Sequence, residues 1–181
     1  KDSMDNPKDY PLNIEDLHIG MESIKKRSEG LMMFAKTYRS LNKISQLHVE
    51  TVLIADLFDT IKHLLQPSLQ LVKLEFHLDD ANLKLDIDRH LIEQVLINLI
   101  LNAIDTTEPI ENPQIIISAS MNLKGEISIT VQDNGTGIPE EILDTIYVPF
   151  FTTKKNGSGI GLSLSKQIML LHQGKIKINT Q

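Results

Sequence analysis

The sequence predicts an α+β fold: a two-layer sandwich of one mixed β-sheet covered by helices on one face, preceded by a bundle-type helix. Three observations lead there. Short alternating runs rich in Ile, Val and Thr come in neighbouring pairs before helical spacing returns, the pattern of a sheet with helices layered on it. A narrow apolar seam at three and four spacing precedes all of them, which suits a helix bundle better than a globular core. Finally, 181 residues with 41% hydrophobic content suffice for one good core and a small appended element.

Taken in order, residues 1–12 hold two prolines, two lysines and three aspartates with little that is apolar, the composition of a flexible lead-in. The seam then runs through Ile14, Leu17, Met21, Ile24, Leu31, Ala35 and Tyr38, with Ser28 filling one gap, and it implies a partner helix. After an irregular stretch from Asn42 to Thr51, apolar residues from Val52 to Leu65 return to helical spacing until Pro67 stops them. The domain boundary falls here. Lys73 to Leu78 and Asn82 to Ile87 alternate and are separated by Asp79, Asp80 and Ala81, which predicts that they pair with each other. Asp88 is a natural N-cap for a long helix through Ile104, ended in the region of Pro109 and Pro113. Gln114 to Ser120 and Glu126 to Gln132 form a predicted hairpin around Gly125. A short helix near Glu140 to Thr145, a helix near Ile160 to His172 and a last strand from Lys175 complete the expectation.

Composition excludes several classes. A net charge of −6 lacks the basic excess with which a phosphate-backbone binder releases counterions, so nucleic acid is not an expected partner. The absence of cysteine removes disulfides, thiol nucleophiles and thiolate zinc sites, and fits a reducing, cytoplasmic setting. The longest apolar stretch, Val95 to Ile104, is interrupted by Asn98 and Asn102 and is too short to span a bilayer. The sequence begins at Lys1 and is expected to be an excerpt of a longer protein, with any membrane anchor or sensor outside it.

Three clusters carry the candidate chemistry. Asn98 and Asn102 lie four apart on one face of the predicted helix amid Val95, Leu96, Ile97, Leu99, Ile100 and Leu101, and two amides in such surroundings need partners. Capping of neighbouring backbone would supply them, and so would a ligand. Asp133-Asn134-Gly135-Thr136-Gly137-Ile138-Pro139 follows a strand directly, so a carboxylate at the sheet's end faces a loop whose glycines permit close approach. It could accept a hydrogen bond from an exocyclic amine such as adenine's, although an ordinary Asn-Gly turn reads the same way. Gly157-Ser158-Gly159-Ile160-Gly161-Leu162 leads straight into a helix, where unpaired amides attract phosphate. Glycine spacing and context exclude a Rossmann fingerprint, and the lack of a closing Lys-Ser or Lys-Thr pair excludes a P-loop.

In this order the clusters resemble the catalytic domain shared by histidine kinases, DNA gyrase, heat-shock chaperone ATPases and MutL. Ile92 to Ala103 is similar to that superfamily's N box, Asp133 to Gly137 to its first glycine box, and Gly157 to Leu162 to its second. Pro149-Phe150-Phe151-Thr152-Thr153-Lys154 resembles the F box of the histidine kinase branch. The resemblance covers residues 52–181, and Glu15 to Leu41, within an expected helical element over residues 13–45, resembles the second helix of a dimerisation and phosphoacceptor hairpin of the nitrogen-regulation type, a match that rests on Ile24 to Leu41.

The resemblance implies ATP and Mg²⁺ as ligands, with Asn102 binding the metal, Asn98 assisting on the phosphate side and Asp133 holding the adenine amine. It places Gly135, Gly137, Ile138, Phe150, Thr152, Thr153, Gly157, Ser158, Gly159, Ile160, Gly161 and Leu162 around the nucleotide, with Lys154 as a further catalytic group. Hydrolysing cousins carry a glutamate at the position of Asn98, and an amide cannot act as that general base, so hydrolysis should be poor. Phosphoryl transfer needs positioning and charge neutralisation above all.

The implied acceptor is a histidine on an upstream helix outside this chain, in a homodimer built through the hairpin, with a response-regulator receiver aspartate as later destination. In the family that histidine is usually followed by an acidic residue. His18, His48, His63, His77, His90 and His172 are followed by Ile19, Val49, Leu64, Leu78, Leu91 and Gln173, so none qualifies. The family pattern continues beyond Gln181 through a closing strand, whose absence would leave a sheet edge unpaired. Two other readings compete: a nucleotide-binding dimerisation module that has lost transfer, which the intact Asn102, Asp133 and glycines oppose, and a gyrase-type hydrolysing clamp, which Asn98 and the F-box-like segment oppose.

Overall fold

The computed structural model describes residues 14–43, 47–69, 72–154 and 157–180; the expected flexible lead-in lies outside them. The chain begins with a long helix, α1 (Ile14–Lys43). Leu17, Met21, Ile24 and Leu31 of the predicted seam are exposed along it, as befits an apolar stripe that no other described residues cover. A short strand β1 (Glu50–Leu53) leads directly into α2 (Ile54–Leu65). Val52 and Leu53 therefore belong to a strand, not to the helix that their apolar spacing suggested. α2 buries Ile54, Leu57, Phe58, Ile61 and Leu65 on one face, which is the amphipathic period expected of a helix lying on a core.

The strands that follow are β2 (Lys73–Leu78), β3 (Lys84–Ile87), β4 (Gln114–Met121) and β5 (Ile127–Asp133). β4 lies centrally in a mixed three-stranded sheet, parallel to β2 and antiparallel to β5. β3 pairs antiparallel with β1 in a separate two-stranded sheet. The expected pairing of the 73–78 and 82–87 runs with each other is thus incorrect, although both are strands. Leu83 instead spans from Asp80 to Ile54, accepting from the latter's amide at 3.0 Å, which carries the chain away to β1. The predicted single sheet becomes two among the described residues, while the α+β class and its helix-covered mixed sheet hold. The β4–β5 hairpin forms as expected, with Gly125 at φ 79 in its turn.

Alternation along β4 buries Ile115, Ile117 and Ala119. Register places Phe76, Ile117 and Val131 in one row across the sheet and Leu74, Ile115 and Asp133 in the next. Asp133 therefore ends the inward-facing row of β5. Against this face lies α3 (Arg89–Thr107), which also packs on α2 and on α4 (Gly161–Leu171). Ile92, Val95, Leu96, Ile100 and Ala103 of α3 join Ile160, Leu164 and Ile168 in the common core.

Asp88 caps α3 as predicted, its carboxylate accepting from the Leu91 amide at 3.3 Å and also from the His48 amide at 3.2 Å. The Asp88 amide in turn donates to His172 Nε2 at 3.0 Å, so the start of α3 is tied to the end of α4. Between β5 and α4 the chain makes a 3₁₀ turn at Glu140–Ile142, shorter than the helix expected there. Residues 175–180 carry no strand ladder, although Ile176, Ile178 and Thr180 are half-buried in alternation with exposed neighbours.

Candidate functional site

The site forms along one side of α3, where its polar face meets the loop after β5 and the loop before α4. Asn98 and Asn102, one turn apart, are each half-buried. Asn98 Nδ2 donates to the Gly161 carbonyl at 3.4 Å and to Ser165 Oγ at 3.5 Å. These long bonds lay the amide over the first turn of α4, with the Gly161 Cα facing Asn98 where a Cβ would sit 3.6 Å away. Backbone capping and ligand contact were both open for this residue, and in the structure its amide serves the glycine loop.

Asn102 Oδ1 accepts from Lys154 Nζ at 2.8 Å, and the same ammonium donates to Asp105 Oδ2 at 2.5 Å. The F-box-like segment is thereby folded back onto α3. Thr152 shapes it from within, its Oγ1 accepting from the Lys154 amide at 3.1 Å. Thr153 is exposed.

Around the second glycine cluster the backbone approaches too closely for side chains. At Gly159, φ is 67 and an added Cβ would press into the Phe150 carbonyl carbon, while Phe150 N donates to the Gly159 carbonyl at 2.8 Å. Phe150 itself takes φ 70, a conformation uncommon for a bulky residue and one that marks a tightly determined loop. A Cβ at Gly157 would meet Thr152 Oγ1. Ser158 is exposed, whereas Ile160 is buried in the core and Leu162 half-buried on α4.

The loop after β5 is built on the other end of α3. Asp133 Oδ1 accepts from Thr106 Oγ1 at 3.2 Å and from the Gly135 amide at 2.9 Å. Its other oxygen has no partner among the described residues, which leaves an acceptor available on this exposed residue. Gly135 lies so near that an added Cβ would be 2.7 Å from the Thr106 carbonyl and from Asp133 Oδ1. Gly137 takes φ 69, and the Ile138 amide donates to Thr180 Oγ1 at 3.1 Å. More than an ordinary Asn-Gly turn is present, because Gly135 lets the loop come against α3 and Gly137 takes a left-handed conformation that side chains rarely adopt.

Sequence reasoning passed over three contributors. Asn134 clamps the loop to the edge of β4, its Oδ1 accepting from the Gln114 amide at 2.9 Å and its Nδ2 donating to the Asn112 carbonyl at 2.8 Å. Thr106 anchors Asp133. Asp105 shares Lys154 with Asn102; its spacing of three from Asn102 puts it on the same helix face, the one signal that could have flagged it.

Among the described residues no three His, Cys, Asp or Glu side chains gather where they could hold a metal ion. Two oxygens, Asn102 Oδ1 and Asp105 Oδ2, do converge on a single cation, the Lys154 ammonium. Glycine-walled loops, a carboxylate oxygen at the sheet's end without a partner among the described residues and an amide oxygen already holding a positive charge together suit a metal-bound nucleoside triphosphate.

Fold and site thus define a nucleotide-binding domain of the ATPase class, with a helix-borne asparagine pair between two glycine loops. The chain belongs to the histidine kinase-, DNA gyrase B- and HSP90-like ATPase family, whose model matches residues 87–181, just over half of its length. It is similar to the signal transduction histidine-protein kinase AtoS of Escherichia coli K12, 37% identical over 101 residues that cover 56% of this chain and 16% of that protein. The sensor histidine kinase ZraS of Salmonella typhimurium is 30% identical over 157 residues, 86% of this chain and 33% of that protein.

Among solved structures, the catalytic domain of histidine kinase ThkA superposes with a TM-score of 0.60 at 34% identity, covering 67% of this chain and 80% of that one. ThkA in complex with the response regulator TrrA shares the fold over 98% of this chain and 50% of its own, with a TM-score of 0.65 at 24% identity. The chain spans about a sixth to a third of the length of the curated relatives it matches. It is an ATP-binding domain of the histidine kinase type, and no helix among its described residues is long and apolar enough to cross a membrane.

Proposed function

We propose that this chain binds ATP together with Mg²⁺ and transfers the γ-phosphoryl group to a histidine on a helix outside it, for relay to a response-regulator aspartate. The observation that carries this reading is the convergence on one side of α3 of Asn102, Lys154, the available oxygen of Asp133 and two glycine loops. Bound Mg²⁺ would supply charge neutralisation across the phosphates. In this reading Asn102 Oδ1 ligates the metal, and Asn98, one turn earlier on α3 and bonded to the start of α4, assists on the phosphate side.

Asp133 accepts from the adenine amine, with Gly135, Gly137 and Ile138 shaping that end. Phe150, Thr152, Thr153, Gly157, Ser158, Gly159, Ile160, Gly161 and Leu162 form the wall beside the phosphates, whose charge the amides at the start of α4 favour. Lys154 offsets negative charge. No carboxylate occupies the position of Asn98, so water in the site lacks a general base there and the phosphoryl group is kept for an oriented acceptor.

Three of the chain's six histidines have ring nitrogens engaged elsewhere. His63 Nδ1 contacts the Asp59 carbonyl, His77 Nε2 contacts Glu75, and both ring nitrogens of His172 are hydrogen-bonded. The exposed stripe of α1 supports a hairpin partner and homodimerisation through it, and the nitrogen-regulation-type branch rests on Ile24 to Leu41. A cytoplasmic setting follows from the receiver domain and ATP that the reaction needs. The decisive experiment incubates the chain with radiolabelled ATP, Mg²⁺ and a separately made upstream helix. Acid-labile label on the helix, absent with the chain alone and abolished by Asn102→Ala, is expected; label on the chain alone that disappears in His18→Gln would overturn the external acceptor.

A further inference from the structure

We propose that Asp105 is a positioning residue that parks the Lys154 ammonium on Asn102, so that Lys154 and the metal-bound nucleotide compete for one place on α3. The inference rests on the nucleotide reading above and adds a residue that the N-box resemblance leaves without a role. Its basis is geometric. Asn102 and Asp105 stand three apart on one helix face, and their Oδ1 and Oδ2 atoms lie 2.8 and 2.5 Å from the same Nζ. Both contacts are within the range of charge-assisted hydrogen bonds.

The lysine is also the point at which the loop between the two phenylalanines and α4 is fixed to α3. Its carbonyl accepts from Gly157 N at 3.2 Å and its amide donates to Thr152 Oγ1 at 3.1 Å. A divalent cation drawn to Asn102 Oδ1 would meet an ammonium bonded to that same oxygen, and two positive charges at such a distance repel strongly away from bulk water. Binding therefore requires Lys154 to leave. Once it has left, Asp105 is an uncompensated carboxylate beside the incoming phosphates, a second like-charge term of the same sign. Both terms make Asp105 oppose nucleotide binding while it orders the nucleotide-free loop.

The side chains of Lys154 and Asp105 remain 36% and 57% exposed, so screening keeps the effect small: about a two- to five-fold change in affinity. The test uses the full chain with ¹⁵N-labelled lysine, as wild type, Asp105→Asn and Lys154→Gln. Without nucleotide, one slowly exchanging ammonium signal is expected in the wild type, missing in Lys154→Gln and lost in Asp105→Asn. Calorimetry with Mg²⁺ and a non-hydrolysable ATP analogue should then show Asp105→Asn binding more tightly than wild type at low salt, with the gain shrinking as ionic strength rises.

Weaker binding by Asp105→Asn would overturn the proposal, since the carboxylate would then be holding the ligand. An ammonium signal indifferent to Asp105→Asn would overturn it equally. No binding by any form would refute the nucleotide reading and with it the competition, while the lysine signal reports separately on whether Asp105 holds Lys154.

Discussion

At the scale of single residues the site is a set of close approaches in which Asn98, Asn102, Asp133 and Lys154 are held by neighbouring protein groups. Asp133 shows this best: one carboxylate oxygen accepts from Thr106 and the Gly135 amide, which fixes the group and leaves the other oxygen available. Asp133→Ala removes an acceptor whose bond to an amine is charge-assisted and worth about 1.5–3 kcal/mol. Calorimetry should show ATP-analogue affinity falling by about tenfold or more at the same energy scale, to the level of a GTP analogue. Retained preference for ATP would remove the adenine assignment. Gly135 and Gly159 act through absence, because a Cβ at either would press into the backbone of Thr106 or Phe150.

Individual elements hold these residues in place. α3 is fixed at its start by the Asp88 cap and the His172 ring, so the turn carrying Asn98 and Asn102 has a defined height over the sheet. β4 sets the other coordinate, because β5 ends at Asp133 only in the register that β4 imposes. At the far edge of β4, Glu75 on β2 accepts from the Gln114 side chain of β4 at 3.3 Å and bridges Lys73 and His77. Hydrogen bonds from Lys73, and then from His77, hold its carboxyl below the ordinary carboxylate range. The charged form is favoured in the folded state, so its contribution is complete above the ordinary carboxylate value and is lost as pH falls through the lowered one. Melting temperatures of wild type and Glu75→Gln should differ slightly at neutral pH and converge in acid. A constant gap across the range would show that Glu75 does not link folding to protons.

For the molecule as a whole, the segment from Tyr147 to Gly159 connects everything that must respond to nucleotide. Lys154 ties it to α3, Gly159 ties it to Phe150, and Ser158 lies against α1, where a Cβ added at Gly30 would come within 3.0 Å of the Ser158 Cβ. A glycine inside a helix costs about 1 kcal/mol relative to alanine, and this approach is what that residue permits. Phe150 is 48% exposed, so the loop has apolar surface still to bury. Amide exchange should show residues 147–159 more strongly protected with ATP analogue and Mg²⁺ than without. Equal protection in both states would mean that the segment is already part of the fixed core and does not close.

What the sequence determined by itself was local. Strand alternation, the Asp88 cap, the Gly125 turn and the three glycine and asparagine clusters were legible because each depends on residues within a turn or two of one another. Only the tertiary structure decided the partners. The runs 73–78 and 82–87 alternate as strands should, but alternation says nothing about which edge a strand joins, and β2 went to β4 while β3 went to β1. Val52 and Leu53 satisfied helical spacing and were taken by the β1–β3 ladder, since apolar runs of that length fit either period. Residues 175–180 alternate without a backbone partner among the described residues and so form no ladder. Asp105 stood in plain view beside the N box, yet its meaning depended on a lysine 49 residues away. Spacing reveals which side chains share a face, whereas the charge that such a face receives is set by what the fold brings opposite to it.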